Sequence, residues 1–400
     1  MLLAAFAAES SMYQGKSAEV FRTFLILGMT SFGGPVAHLA FFRNRLVLER
    51  RWLDEDQFAQ VLALCQFLPG PASSQLGFAI GLMRAGWRGA LAASVAFTLP
   101  SAALLFLFSA LLPLLQGDIG LAAIAGLKLV AVAVVAHGVL GMSRRLCPDL
   151  QRAAIACVAF VAALESSAVW VQMLIVAAGA VAGLGLCRSV QPLSTRAMRF
   201  PLSRRAGALL LGLFAAILIS LPLLPGGTYS QLFAAFYRAG ALVFGGGHVV
   251  LPLLEEAMVG SSWIDADAFI AGYGAAQAVP GPMFSFAAYL GAEIAPNPAL
   301  GAALGLIAIF LPGFLLVAAA LPLWQQLASY QSAASVIAGV NAAVVGLLAA
   351  ALVDPVFSST VRSPMDFGIA LVGFTLLLVC RASPLWVVLW SVLASVATTL

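Results

Sequence analysis

Apolar residues in this chain come in long continuous runs, without the strict alternation of a half-buried strand. Such runs cover roughly 91–115, 121–141, 153–164, 168–186, 206–224, 300–323, 332–353, 367–379 and 385–400, and charge almost vanishes within them. A helix rises about 1.5 Å per residue, so about twenty residues cross the ~30 Å of bilayer hydrocarbon. The longer runs therefore predict membrane-crossing helices, and 153–164 is short enough to need a tilt. Four further stretches, 19–42, 57–83, 230–258 and 268–294, behave differently. Each is broken near its middle, by Gly33-Gly34-Pro35, Pro69-Gly70-Pro71, Gly245-Gly246-Gly247 and Pro280-Gly281-Pro282. Proline removes a donor and clashes with the preceding turn, and paired glycines weaken a helix. Arms of about a dozen residues on either side of a break reach only mid-membrane, which predicts re-entrant hairpins; the alternative is a kinked helix that crosses completely.

Composition narrows the classes. Of 400 residues, 62% are apolar and only 9% charged, against about a quarter charged in soluble domains. A water-soluble globule and a disordered chain are both excluded. The lipid bilayer is the expected surrounding, and no nucleic-acid partner is expected. The five cysteines show no CxxC spacing, so they read as small buried hydrophobes. Met1 to Ala8 lacks a basic segment, so a cleaved signal peptide is not expected. With no GxxxxGK[ST] pattern and no Rossmann fingerprint, neither direct ATP use nor a redox cofactor is expected.

The chain is one unit written twice. Residues 20–34, VFRTFLILGMTSFGG, lie over residues 232–246, LFAAFYRAGALVFGG, at an offset of 212. Trp52-Leu53-Asp54 matches Trp263-Ile264-Asp265, and QFLPGP from Gln66 matches QAVPGP from Gln277 at an offset of 211. Leu99-Pro100 then matches Leu311-Pro312, and Gly126-Leu127-Lys128 matches Gly339-Val340-Asn341. The order and near-constant spacing define a repeat, with units at 1–187 and 229–400. Between them, 188–228 holds a basic linker and one extra apolar run.

One extra crossing inverts the second copy, and charge agrees. Residues 1–205 carry net +8 and residues 206–400 net −4. The loop 41–56 has Arg43, Arg45, Arg50 and Arg51, whereas its counterpart 253–267 has no basic residue and carries Glu255, Glu256, Asp265 and Asp267. By the positive-inside bias the first loop is cytoplasmic and the second external. The expected fold is an all-α polytopic membrane protein of two inverted-topology repeats, an architecture typical of secondary transporters. Each repeat has two broken hairpins and about four crossing helices.

Helix breaks at mid-membrane leave N–H groups at the positive end of the helix dipole, worth about half a charge. Pro35, Pro71 and Pro282 suit the first helical position. Ser31, Gln66, Ser73 and Ser74 in the first copy, with Gln277 and Ser285 in the second, add hydroxyl and amide groups that donate to oxyanion oxygens. Four converging ends would form an anion site with few buried charges.

FGGPVAH (from Phe32), WLDEDQFAQ (from Trp52), QFLPGP (from Gln66), FGGGHVVLP (from Phe244) and QAVPGP (from Gln277) resemble the signature segments of the chromate ion transporter family. The resemblance covers nearly the whole chain. It implies a bacterial inner-membrane protein that exports chromate and confers chromate resistance, with a link to sulfate, an oxyanion of the same charge and shape. A chromate-reducing enzyme is the poorer reading, because no Rossmann fingerprint or organised cysteine set is present to hold a cofactor, so no cofactor and no enzymatic step are expected. Gly247 stands where the first copy has Pro35, and His248 does not align with His38, so the half-sites differ.

Lys128 lies inside a crossing, with Asn341 at the matching place. A charge at that depth is costly and usually faces a cavity or a partner, which makes Lys128 the expected counter-charge for a dianion; snorkelling to the interface is the plainer alternative. His38 and His248 follow the breaks and are candidates for anion binding or proton transfer, or are packed interior groups. Arg84 and Arg88 suit a cytoplasmic mouth, Arg22 and Arg238 an access path or an interfacial anchor. Asp54 and Asp265 read as helix N-caps, Asp54 with Gln57 as a capping box. The expected function is chromate export by alternating access, with a proton or counter-anion as an optional partner and a homodimer left open. Carriage or import of sulfate or another oxyanion, and an anion channel, are the alternatives.

Overall fold

The computed structural model describes residues 15–32, 34–115, 117–165, 169–188, 202–223, 226–243, 250–324 and 330–399, which form helices and turns without a strand. The first copy comprises α1 (Ser17–Thr30), α2 (Gly34–Phe42, extended by a π-helical stretch Arg43–Glu49), α3 (Glu55–Phe67) and α4 (Ala72–Leu111). It continues with α5 (Asp118–Leu146), α6 (Leu150–Glu165) and α7 (Val169–Leu186). The unmatched run is α8 (Arg204–Ser220). The second copy repeats the series as α9 (Thr228–Leu242), α10 (Val250–Met258), α11 (Ala266–Ala278), α12 (Phe286–Ile294), α13 (Pro298–Ala320), α14 (Gln331–Ala351), α15 (Pro364–Leu378) and α16 (Pro384–Ala397). Five of the described helices are long and apolar enough to cross a membrane, and several shorter ones are apolar throughout.

Local chemistry sets the boundaries. Asp54 accepts from Gln57 N at 2.7 Å while the Gln57 side chain takes Asp54 N at 3.1 Å, the expected capping box. Asp265 caps α11 by accepting from Asp267 N at 2.9 Å. The chain enters both caps the same way: Arg51 (φ 52) and Ser262 (φ 58) sit in left-handed backbone just before Trp52 and Trp263. The prolines differ from expectation by one position. Pro71 and Pro282 are N-caps and not first helical residues; their carbonyls already accept the first helical bonds, from Gln75 N and Ser285 N at 2.9 Å.

The long α4 is two helices. Ala85 and Gly86 leave helical geometry, Gly86 at φ +62, and Gly81 and Gly89 meet backbone to backbone across the bend. The chain therefore turns back at Ala85-Gly86, and 87–111 makes a separate crossing. Gly291 meets Gly301 in the same way between α12 and α13. At the open end of the first copy's hairpins, Glu19 of α1 takes Arg50 at 3.7 Å and Arg84 at 3.4 Å, and the Arg84 guanidinium lies 5.2 Å from the Trp52 ring. The starts of α1 and α3 and the ends of their return arms are thus on one level, as hairpins require. Helix 87–111, about 37 Å long, reaches the opposite level, where Ser109 Oγ donates to Glu293 Oε1 at 2.5 Å beside the second copy's hairpins. The two sets of hairpins point at each other from opposite ends.

The remaining helices are exchanged between copies. α5 packs on α15 and α16 of the second copy, and α14 packs on α6 and α7 of the first. The contacts are equivalent: Gly126 of α5 lies against the backbone of Ser391 and Val392, and its match Gly339 of α14 lies against Gly179 and Gly183. Lipid is as apolar as the helix surfaces, so association depends on close packing of small residues. The largest buried cluster accordingly joins Leu129 and Val135 of α5 to Tyr273 of α11 and Val344 of α14.

Two measurements check this arrangement. Gly339→Leu puts a side chain into the Gly179 backbone and should destabilise by at least about 1–3 kcal/mol, whereas Gly141→Leu, at a glycine with open space around it, should leave the unfolding temperature in detergent unchanged. In a cysteine-free background, an impermeant maleimide should label Arg51→Cys and Ser262→Cys from opposite faces of the membrane; labelling from one face would contradict inverted copies.

Candidate functional site

The tips of the hairpins meet. Gly70 N donates to Val243 O at 2.7 Å, and Gly281 N donates to Ser31 O at 3.0 Å. Ser31 and Val243 are matched positions at the ends of α1 and α9, and Gly70 and Gly281 are the central residues of the two PGP breaks. Each break therefore satisfies its backbone on the other copy. Gly70 at φ +126 and Gly281 at φ +106 hold a backbone region that residues with a Cβ rarely adopt. There is also no room for one: a Cβ on Gly70 would lie 2.7 Å from Gln75 Nε2, and one on Gly281 would lie 2.9 Å from Ser101 Oγ. The proline-containing helices 87–111 and α13 run past these tips, presenting Ser101 after Pro100 and Gly313 after Pro312.

Around the tips lies a buried polar cluster. His38 is 1% exposed; its Nε2 lies 3.1 Å from Ser31 O and its Nδ1 lies 3.4 Å from Ser73 Oγ. Its ring meets Phe97 edge-on at 5.4 Å. Ser285 and Ser101 share a hydrogen bond at 2.6 Å. The matched residue Ser74 has no such partner, because Gly313 stands where the other copy has Ser101. Gln75 fills that space, with Nε2 donating to Pro69 O at 2.8 Å and to Gly313 O at 3.1 Å. The hydroxyls of Ser31 and Ser74 are buried and make no hydrogen bond among the described residues. A buried polar group without a partner costs about 1–3 kcal/mol. Two of them lie beside the first turns of α2 and α4, where N–H groups carry partial positive charge.

The structure thus brings together Ser31, His38, Pro69, Gly70, Pro71, Ser73, Ser74, Pro280, Gly281, Pro282 and Ser285. Gln277 is buried and lies against the Tyr273 hydroxyl. Gly34 and Pro35 open α2. Gly33, Gly245, Gly246, Gly247 and His248 lie outside the described residues. Gln66, although matched to Gln277, is exposed at the end of α3. Among the described residues Lys128 pairs away from the tips: its Nζ is 2.7 Å from Asp267 Oδ1 at the start of α11. Leu127 lies against Gly274, about two turns further down α11, so the ammonium reaches outward along the helix. Asn341 is half-buried, and its Oδ1 has no hydrogen-bond partner among the described residues. Sequence reasoning passed over Gln75 and Ser101. Ser101 follows the matched Leu-Pro pair directly and was open to detection; Gln75 matches Phe286 and was hidden by the repeat itself. Among the described residues no contact at the tips involves a Lys, Arg, Asp or Glu side chain, so the cluster offers hydroxyls, amides, the His38 imidazole and helix ends.

Two stretches of the chain, residues 18–184 and 230–396, match the family described as chromate transporter. The chain is 28% identical over 352 residues to the chromate transport protein of Pseudomonas aeruginosa, covering 84% of this chain and 80% of that protein. It is 27% identical over 373 residues to the chromate transport protein of Cupriavidus metallidurans, covering 89% and 86%. No solved structure matches the chain. Both family stretches carry the PGP break and the helix end that crosses it, so the crossing is assembled from the two matched regions themselves. This multi-pass membrane protein belongs to the chromate transporter family.

Proposed function

We propose that this protein exports chromate across the bacterial inner membrane by alternating access, holding the dianion where the helix breaks of its two copies cross, and that it thereby confers chromate resistance. The observation that carries the reading is the reciprocal pair of bonds, Gly70 to Val243 and Gly281 to Ser31, beside the unpartnered hydroxyls of Ser31 and Ser74. A tetrahedral dianion takes donors from several directions. Hydroxyls and helix N-termini supply them at lower desolvation cost than buried cations. The chromate specificity comes from the relatives, which are chromate transport proteins by name; sulfate has the same charge and shape and is the expected competitor.

The same bonds suggest how the site is exposed in turn. Each joins a tip of one copy to a helix end of the other, so movement of the first copy's hairpins against the second copy's hairpins shears both together. Outward movement is electrically favourable. A cell interior at −100 mV repels a dianion by roughly 4.6 kcal/mol, at about 2.3 kcal/mol per charge. The arginines of 41–56 and the acids of 253–267 would gather anions inside and repel them outside. A proton or counter-anion is therefore not required.

In liposomes, purified protein should give saturable chromate flux, inhibited by sulfate and stimulated by counter-anion on the opposite side. Ohmic current without saturation would make it a channel, and absence of chromate flux would end the proposal. Ser74→Ala removes an unpartnered hydroxyl, so its thermal stability should equal or exceed that of the unaltered protein. Its half-saturating chromate concentration should nonetheless rise about tenfold, the value of one hydrogen bond to a charged group. Gly70→Leu, which would force a side chain onto backbone at φ +126 and into the space of Gln75 Nε2, should insert into membranes yet lose transport.

A further inference from the structure

The Lys128–Asp267 pair has a third member. Arg362 Nη2 lies 3.6 Å from the same Asp267 Oδ1 that Lys128 Nζ contacts at 2.7 Å. Two cations thus converge on one carboxylate oxygen; the neighbouring acids are engaged by backbone, Asp265 accepting from Asp267 N at 2.9 Å and Asp366 from Arg362 N at 3.1 Å. Exposure differs across the group: the Lys128 side chain is 14% exposed, Asp267 49% and Arg362 71%. The cluster grades from the protein interior to solvent. Asp267 N donates to Asp265 Oδ1, so the cap fixes the Asp267 backbone and only the two cations hold its carboxylate. Thr360, two residues before Arg362, is buried, and its hydroxyl has no partner among the described residues. Its turn packs against α5, the helix that carries Lys128.

Charge placement makes Arg362 unusual. The second half has only three basic residues, Arg238, Arg362 and Arg381. Arg238 lies within α9, and Arg381 lies in the turn between α15 and α16, on the cytoplasmic side by helix order. Arg362 is therefore the sole basic residue in the external loops of that half, against the positive-inside bias. The cluster is also one-sided, because Asn341 replaces Lys128 in the other copy. Its members come from both copies, Lys128 from the first and Asp267 with Arg362 from the second.

We infer that Lys128 and Arg362 form an outer anion station in which Asp267 stands in for the transported oxyanion. A leaving dianion, with two oxygens to offer two cations, displaces the Asp267 carboxylate; the returning carboxylate then expels it to the outside. The inference rests on the reading of the chain as an oxyanion carrier, and its test has an arm that does not depend on flux.

In that arm, the purified full-length protein in detergent is titrated with sulfate and with chromate while its unfolding temperature is followed. Asp267→Asn should shift the half-effective anion concentration about fivefold lower, and Arg362→Gln about fivefold higher. Arg362→Gln also guards against misfolding, since that side chain is largely in solvent. In the flux arm, right-side-out and inverted vesicles give half-saturation from each face. Arg362→Gln should raise the ratio of outer to inner half-saturating chromate severalfold, and Asp267→Asn should lower it. Identical anion titrations for all three proteins, or an unchanged ratio between the faces, would overturn the station. If the titrations follow the expected order while the unaltered protein moves no chromate, the carrier reading fails and the anion station stands.

Discussion

Backbone amides have no water to bond within a bilayer, so every interrupted helix there needs a partner for its freed groups. In this chain the partner is the other copy. Gly70 N finds Val243 O and Gly281 N finds Ser31 O, and neither copy supplies that acceptor to its own PGP break. The two halves are bound to one another by the requirement that irregular backbone be satisfied. The same requirement explains why the breaks are concentrated at one place.

The exchange of helices follows from that constraint. With the hairpin tips fixed at the crossing, helices 87–111 and α13 must run past the opposite copy's tip. α5 and α14 then emerge beside the other copy's last two helices. The close contacts of Gly126 and Gly339 hold the exchange in place by small-residue packing, the main attraction between helices in lipid. The symmetry is broken at two places. Ser285 has Ser101 as a partner, whereas Gly313 stands at the position matching Ser101 and the Ser74 hydroxyl has no partner among the described residues. Lys128 has a carboxylate, whereas Asn341 has taken its place in the other copy.

Much of the architecture was legible in the chain. Uninterrupted apolar runs marked the crossings, Gly/Pro clusters marked the breaks, and the Trp-Leu-Asp pattern at Asp54 marked a cap that the structure contains. Arginines and acids at matched loops set the expected orientation. The exchange was not legible, because self-comparison aligns each helix with its counterpart and says nothing of its neighbour. For the same reason the partner of Lys128 was hidden: Asp267 belongs to the other copy, and the Lys128 side chain extends along α11 to meet it. Gln66 and Gln277 show the limit of matching by repeat, since equal positions in the two copies have one amide exposed and the other buried. Side-chain direction depends on neighbours that the repeat does not preserve.

In the proposed mechanism the oxyanion rests at one location, the crossing of the two PGP breaks. The most direct measurement is a structure of the protein in lipid with chromate bound, the metal identified by the anomalous scattering of chromium. The account predicts a chromium peak within hydrogen-bonding distance, through oxygen, of the Ser31 and Ser74 hydroxyls, with Gly70 and Gly281 on either side. Chromium bound elsewhere in the membrane interior, with the crossing unaltered and empty, would contradict it.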